Sequence, residues 1–198
     1  MKKRLKRSFY AKPTLRVAKD LLGKHIVRKI GKRKLIGKIL ETEAYIGPKD
    51  RASHARNNKI TERNRAEYLV GGHIYIYLVY GMYWQFNIST YQAGLPECVL
   101  VRAIEIPEAK ISLSNGPGKL CRCLKLDKSF YGEDLTKSKR IWLEDWGEKL
   151  SPLQILSTPR IGIDYAGPYW AKKKLRFLIK DYRKHLPNHR KTNFIVAK

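Results

Sequence analysis

GHIYIYLVYGMYWQFNIS, residues 72–89, reads as two strands folded back on each other. β-Branched and aromatic residues dominate it, and these types fit a pleated, half-buried surface. Alternation puts His73, Tyr75, Tyr77 and Val79 on one face and Ile74, Ile76, Leu78 and Tyr80 on the other. Strands are expected over His73–Val79 and Tyr83–Thr90. The chain reverses at Tyr80-Gly81-Met82, where glycine permits the turn. A large aromatic side chain at such a tip, with Met82 beside it, can wedge into a base stack. It can equally be one more aromatic packed on a sheet. On the return strand Gln85 and Asn87 share a face between Trp84, Phe86 and Ile88. A part-buried amide there can read a base edge or satisfy backbone groups.

Upstream, LIGKILETEAY at 35–45 predicts a second long strand, paired with His25–Ile30 across a Gly-Lys-Arg-Lys turn at 31–34. If that strand is unbroken, Leu35, Ile39, Glu41, Glu43 and Tyr45 share one face. Two acids on an otherwise apolar face are costly unless they are satisfied or useful. The alternative is an edge strand with solvated glutamates. Thr14 is expected to cap a helix ending at Gly23, and Thr61 one running through Leu69. Residues 47–60 read as a loop carrying the lone His54. Further strands are expected at Val99–Ile104, Arg140–Leu143, Arg160–Ile163 and Leu175–Ile179, with a short helix at Ser151-Pro152. Asn115-Gly116-Pro117-Gly118-Lys119 opens a helix to about Leu126. Gly116, Gly118 and Lys119 there form a candidate phosphate site, although Gly-Pro-Gly is also ordinary turn chemistry. The sum is a single α+β domain, a curved antiparallel sheet with helices around it and a protruding hairpin.

A chain of 198 residues, 43% of them hydrophobic, suits one domain with a real core. Lys plus Arg is 42 against 17 Asp plus Glu, a net charge of +25 spread along the whole length. Such a field draws polyanions, nucleic acid first; a solubilising surface or an anionic membrane are the other readings. No run approaches the ~18 apolar residues of a membrane span, and no apolar signal core follows the basic Met1–Arg7, which suggests a cytoplasmic protein. Cys98, Cys121 and Cys123 fit neither a disulfide framework nor a paired-knuckle zinc site. Phosphate-loop, dinucleotide, zincin and deaminase signatures are absent, so chemistry without metal or cofactor is expected.

Eight segments, in order, carry a resemblance: LLGKHIVR at 21–28, ILETEAYIGPKDRASHA at 39–55, TERNR at 61–65, IYIYLVYGMYWQFNIS at 74–89, CVLVRAIE at 98–105, NGPGKL at 115–120, RIGI at 160–163 and LRF at 175–177. Their order and spacing resemble the alkyladenine (3-methyladenine) DNA glycosylase family over residues 13–180. The resemblance implies a monofunctional glycosylase acting on damaged purines in double-stranded DNA; base flipping needs only a monomer, and with no long amphipathic basic helix no membrane partner is expected. It implies that Glu43 is the general base, with Arg102 positioning the water. It puts Tyr45, His54, Tyr77 and Asn87 in the base pocket, and Tyr80, next to Gly81-Met82, between the bases. Gly71-Gly72 departs from the family's Pro-Gly, a change expected to loosen the entry to the hairpin. A basic arm at 1–12, read as disordered or loosely docked, and a basic tail at 181–198 lie outside the match. A non-catalytic nucleic-acid-binding protein is the competing reading, but a simple binder has no need of Glu43 beside Tyr45.

Overall fold

The computed structural model describes residues 2–107 and 109–185. Its strands are β1 (Lys3–Arg4), β2 (His25–Ile30), β3 (Arg33–Tyr45), β4 (Ile74–Val79), β5 (Tyr83–Ser89), β6 (Cys98–Glu105), β7 (Ile141–Asp145), β8 (Ile155–Thr158) and β9 (Arg176–Ile179). The helices are α1 (Arg7–Tyr10), α2 (Thr14–Asp20), α3 (Pro117–Cys123) and α4 (Pro168–Lys172). All the pairings are antiparallel and join the strands into one sheet in the order β1-β7-β2-β3-β6-β5-β4, with β9 and then β8 attached to β3. This is the expected single α+β domain.

The 13-residue β3 organises the sheet. Its first half pairs with β2 and its second half with β9, while β6 runs along its other side. The β2–β3 turn is tighter than the sequence suggested: Ile30 pairs with Arg33, leaving Gly31-Lys32 to turn, with Gly31 at φ +56°. Nor is β3 unbroken. Ile39 faces Ile104 and Glu41 faces Ala103, so Leu40 is left over; Thr42 then faces Val101, leaving Arg102 over on β6. An extra residue shifts the side-chain period. Ile39 therefore joins the main core with Ala44, Ile74, Ile76, Phe86 and Ile88, whereas Glu41, two residues on, does not. Full burial of each isoleucine or phenylalanine among them contributes roughly 1.5–3 kcal/mol.

Several expectations are corrected. Residue 1 lies outside the described residues, and residues 2–12 are not loosely docked: β1 pairs with β7, Leu5 and Tyr10 are core residues, and Tyr91 donates its amide to the Tyr10 carbonyl. Gly71-Gly72 is likewise not loose. A Cβ on Gly71 would overlap the Tyr10 carbonyl, and Arg7 donates to the Gly71 carbonyl while pairing with Asp134. Helix α1 occupies that space, which only glycine leaves free. Thr14 does not cap α2; Pro13 holds the cap position, and the Thr14 hydroxyl bonds Thr90 and Glu97 instead. Residues 61–69 form a Thr61–Asn64 turn and a 3-10 turn over Arg65–Tyr68, not a longer helix. Residues 160–163 form no strand, and α3 ends at Cys123, ahead of Lys125 at φ +50°. Of the 181–198 tail, residues 186–198 lie outside the described residues, but Tyr182 is buried against Leu40, Ala103 and Leu178. Among the described residues no helix is long and apolar enough to cross a membrane.

Candidate active site

The bulge that shifts the period of β3 also builds a charged cluster. Glu41 and Glu43 are 1% and 0% exposed, and Arg102, the residue left over on β6, lies between them. Its Nε donates to Glu41 Oε1 at 2.9 Å and its Nη1 to Glu43 Oε2 at 3.2 Å. Arg176, from β9, donates a second bond to Glu41 Oε1 at 2.7 Å. Two acids and two guanidiniums thus neutralise one another, without which burial at this depth would be prohibitive. Although burial opposes it, the two arginines hold the Glu41 carboxyl below its usual range. Against the same penalty, Glu43 and Glu41 push Arg102 upward. Glu43 has two further donors: the Tyr45 hydroxyl at 3.0 Å to Oε2 and the Ile161 amide at 2.9 Å to Oε1.

All three donors to Glu43 line a cleft of ≈960 Å³. Tyr45, His54, Tyr77, Tyr80, Arg102, Gly116, Gly118 and Lys119 share its walls, so residues far apart in sequence meet there. Arg56 and Arg63 add positive charge. A smaller cavity of ≈30 Å³, room for about one water, adjoins it through the shared residues Tyr45, His54, Tyr77 and Tyr165, and reaches Glu67, Tyr75, Asn87 and Cys98.

Aromatic side chains dominate the inner walls. On β4, Tyr75 and Tyr77 fall on the site face, as alternation requires, because Ile74 and Ile76 take the core face. His54 accepts or donates a 2.6 Å bond with the Tyr75 hydroxyl and meets Tyr77 edge to face at 4.6 Å. Burial first, then Arg63 and Arg56, lower the His54 pKa to about 4, so the ring is neutral at pH 7. Burial, with Glu43 and Tyr77 adding to it, raises Tyr45 well above the usual phenol range, keeping its hydroxyl a donor. Asn87 is 1% exposed and donates to the Gln85 carbonyl at 3.1 Å.

At the hairpin tip, Tyr80 and Gly81 both have positive φ, at 52° and 66°. Tyr80 is 86% exposed and Met82 65%, so neither packs on the sheet. Across the cleft, Lys119 bonds the Ser112 carbonyl at 2.9 Å and Asn115 Oδ1 at 3.0 Å, which ties its amine to the loop before α3. Gly118 has a steric reason of its own: a Cβ there would come 2.9 Å from the Tyr83 ring.

Sequence reasoning missed Arg160, Asp50 and Glu67. Arg160 and Asp50, both with fully buried side chains, form a paired bridge at 2.6 and 2.8 Å. Arg160 also donates to the Ala44 carbonyl and lies over the Tyr45 ring, 4.6 Å from its centroid. It therefore fixes Tyr45 from behind. Its RIGI segment was visible in the sequence, but its partners lie more than 100 positions away. Glu67 carried no sequence signal. Among the described residues no group of three or more His, Cys, Asp or Glu side chains could hold a metal ion.

Residues 8–183 match the family model described as methylpurine-DNA glycosylase (MPG). The chain is 38% identical over 199 residues to the DNA-3-methyladenine glycosylase of Mus musculus, covering 89% of this chain and 59% of that one. It is 36% identical over 199 residues to the human protein of the same name, covering 89% and 66%. It is 40% identical over 187 residues to a protein of Natranaerobius thermophilus, provisionally named a 3-methyladenine DNA glycosylase, covering 87% and 93%.

Proposed function

The chain belongs to the methylpurine-DNA glycosylase family, and from that premise we propose that it is a DNA repair hydrolase that flips alkylated or deaminated purines from duplex DNA and removes them with a Glu43-activated water. The observation that carries this reading is the buried Glu43, whose three hydrogen-bond donors all line the aromatic cleft. A buried acid so held is preorganised for one role, and its fixed partners keep it from reorganising during the reaction.

The +25 charge brings the protein to the duplex, and Arg56, Arg63 and Lys119 continue that field into the cleft. The Tyr80 side chain, exposed at the hairpin tip, fills the gap as a base leaves the stack. A damaged or mispaired base leaves most cheaply, because unstacking costs a few kcal/mol. The base enters among Tyr45, His54 and Tyr77. Electron-rich rings favour a cationic alkylated base by roughly 0.5–2 kcal/mol per contact, and Asn87 crowds the exocyclic amine of normal guanine. Glu43 takes a proton from water attacking C1′, and its negative charge stabilises the oxocarbenium-like transition state. Arg102 holds that carboxylate in place. Water as nucleophile leaves an intact abasic strand.

The test is alkali-dependent cleavage of duplexes bearing hypoxanthine or ethenoadenine, and release of bases from methylated DNA. Cleavage only after hot alkali supports the reading; salt-sensitive DNA binding without base release from any substrate replaces it with a non-catalytic binder.

A further inference from the structure

Glu67 rises from the Arg65–Tyr68 turn to the far wall of the inner cavity, and the reaction described above makes no use of it. It is 2% exposed. Oε1 accepts the Cys98 thiol at 3.2 Å, while Oε2 is buried with no hydrogen-bond partner among the described residues. The side chain shares the cavity with Tyr45, His54, Tyr75, Tyr77 and Asn87. An unmet buried oxygen costs about 1–3 kcal/mol, and Glu67 lines a small cavity that adjoins the aromatic cleft, the side from which a partner can reach it.

Among the described residues no lysine or arginine lines its cavity. From β4 the facing groups are the phenols of Tyr75 and Tyr77, from β3 that of Tyr45, from β6 the Cys98 thiol, and from the 47–60 loop His54. Burial raises all three phenols and the thiol, and His54 is neutral at pH 7 with its pKa lowered to about 4. Among the described residues the charged group acting on Glu67 is an acid, Asp50. Burial accordingly pushes the Glu67 carboxyl up to about 8, the Cys98 thiol opposing and Asp50 adding to the shift.

We propose, on the base-flipping reading above, that Glu67 is a base-contacting residue that biases this pocket toward purines carrying both a positive charge and an N–H donor, which its Oε2 accepts. A cationic base supplies the missing partner, and Glu67 then gives its proton to solvent. 7-Methylguanine and 3-methyladenine in DNA have both features. Hypoxanthine has the N1–H donor without the charge, and ethenoadenine has neither.

Single-turnover excision at pH 7 by the full chain tests this, with duplexes bearing 7-methylguanine, hypoxanthine or ethenoadenine and with Glu67→Gln and Glu67→Met. The expected result is a fall of roughly tenfold in the 7-methylguanine to ethenoadenine rate ratio in both variants, the scale of one charge-assisted hydrogen bond. Hypoxanthine should fall less, because its N1–H loses only a carboxylate acceptor and no attraction between opposite charges. Glu67→Met is the second route should the amide distort the turn. An unchanged ratio, or a parallel loss on all three lesions, overturns the proposal and leaves Glu67 a structural acid while the glycosylase reading stands. No excision of any lesion by the wild type would overturn both.

Discussion

Arg102 reaches Glu43 Oε2 across 3.2 Å from the one position where β6 has a residue without a partner on β3. The bulge aims the guanidinium between two buried carboxylates, which regular pairing would not do. Arg102→Ala leaves Glu41 and Glu43 short of a counter-charge. A stability loss of about 3–5 kcal/mol is expected in denaturant unfolding. Arg102→Lys keeps the charge but offers no rigid fork to span both acids, so excision should fall further than stability does. Equal stability of Arg102→Ala and wild type would show that the cluster is not held by this pair.

Tyr80 is the opposite case. Its side chain is 86% exposed at a left-handed tip, so Tyr80→Ala removes almost no packing. Its unfolding free energy should stay within about 0.5 kcal/mol of wild type, while capture of lesion-bearing duplex weakens roughly tenfold or more, as expected from losing base stacking of ~1–3 kcal/mol. Unchanged lesion affinity would remove the wedge from the account.

Two buried titratable groups bend stability with pH in opposite directions. His54 falls from 6.5 to about 4 on folding, so the unfolded chain takes up a proton that the native one refuses. Its contribution is present above pH 6.5 and is lost as pH falls toward 4. Glu67 rises from 4.5 to about 8, so the native chain keeps a proton that the unfolded one releases. Its contribution is present below pH 4.5 and is lost as pH rises toward 8. Unfolding measured from pH 5 to pH 8 should therefore show Glu67→Gln gaining on the wild type as pH rises. A constant difference across that range would contradict the assignment.

A Cβ built on Gly71 would overlap the Tyr10 carbonyl group. Gly71→Ala should destabilise by about 1–3 kcal/mol through overpacking, read as a lower melting temperature. If the variant melts with the wild type, α1 is not seated as described.

The strongest parts of the fold were legible because their signals are local. Period-two alternation in 72–89 placed the tyrosines and the isoleucines on opposite faces, and the hairpin strands start and end within a residue of expectation. The α+β class followed from turns and strand lengths. What stayed hidden depends on distant partners. The bulge at Leu40 and Arg102 appears in no local pattern, so Leu35 and Ile39 were assigned the face of Glu43 when Ile39 belongs to the main core. The N-terminal residues read as a loose arm because their lysines and arginines outnumber Leu5 and Tyr10, the two side chains that anchor them. Arg160 reads as a strand residue until Asp50 and Tyr45 are brought to it. At the site, Glu43, Tyr45 and Tyr80 were singled out from spacing and turn position, and resemblance gave them roles. Glu67 stayed unseen because a glutamate in a polar turn is ordinarily solvated.

The most direct test of the central claim is single-turnover base release by Glu43→Gln on a hypoxanthine duplex, with binding to the same duplex measured in parallel. The account predicts release slowed by at least about a hundredfold, the usual worth of a general base, with binding retained. Release at the wild-type rate would contradict the role of Glu43 and with it the proposed mechanism.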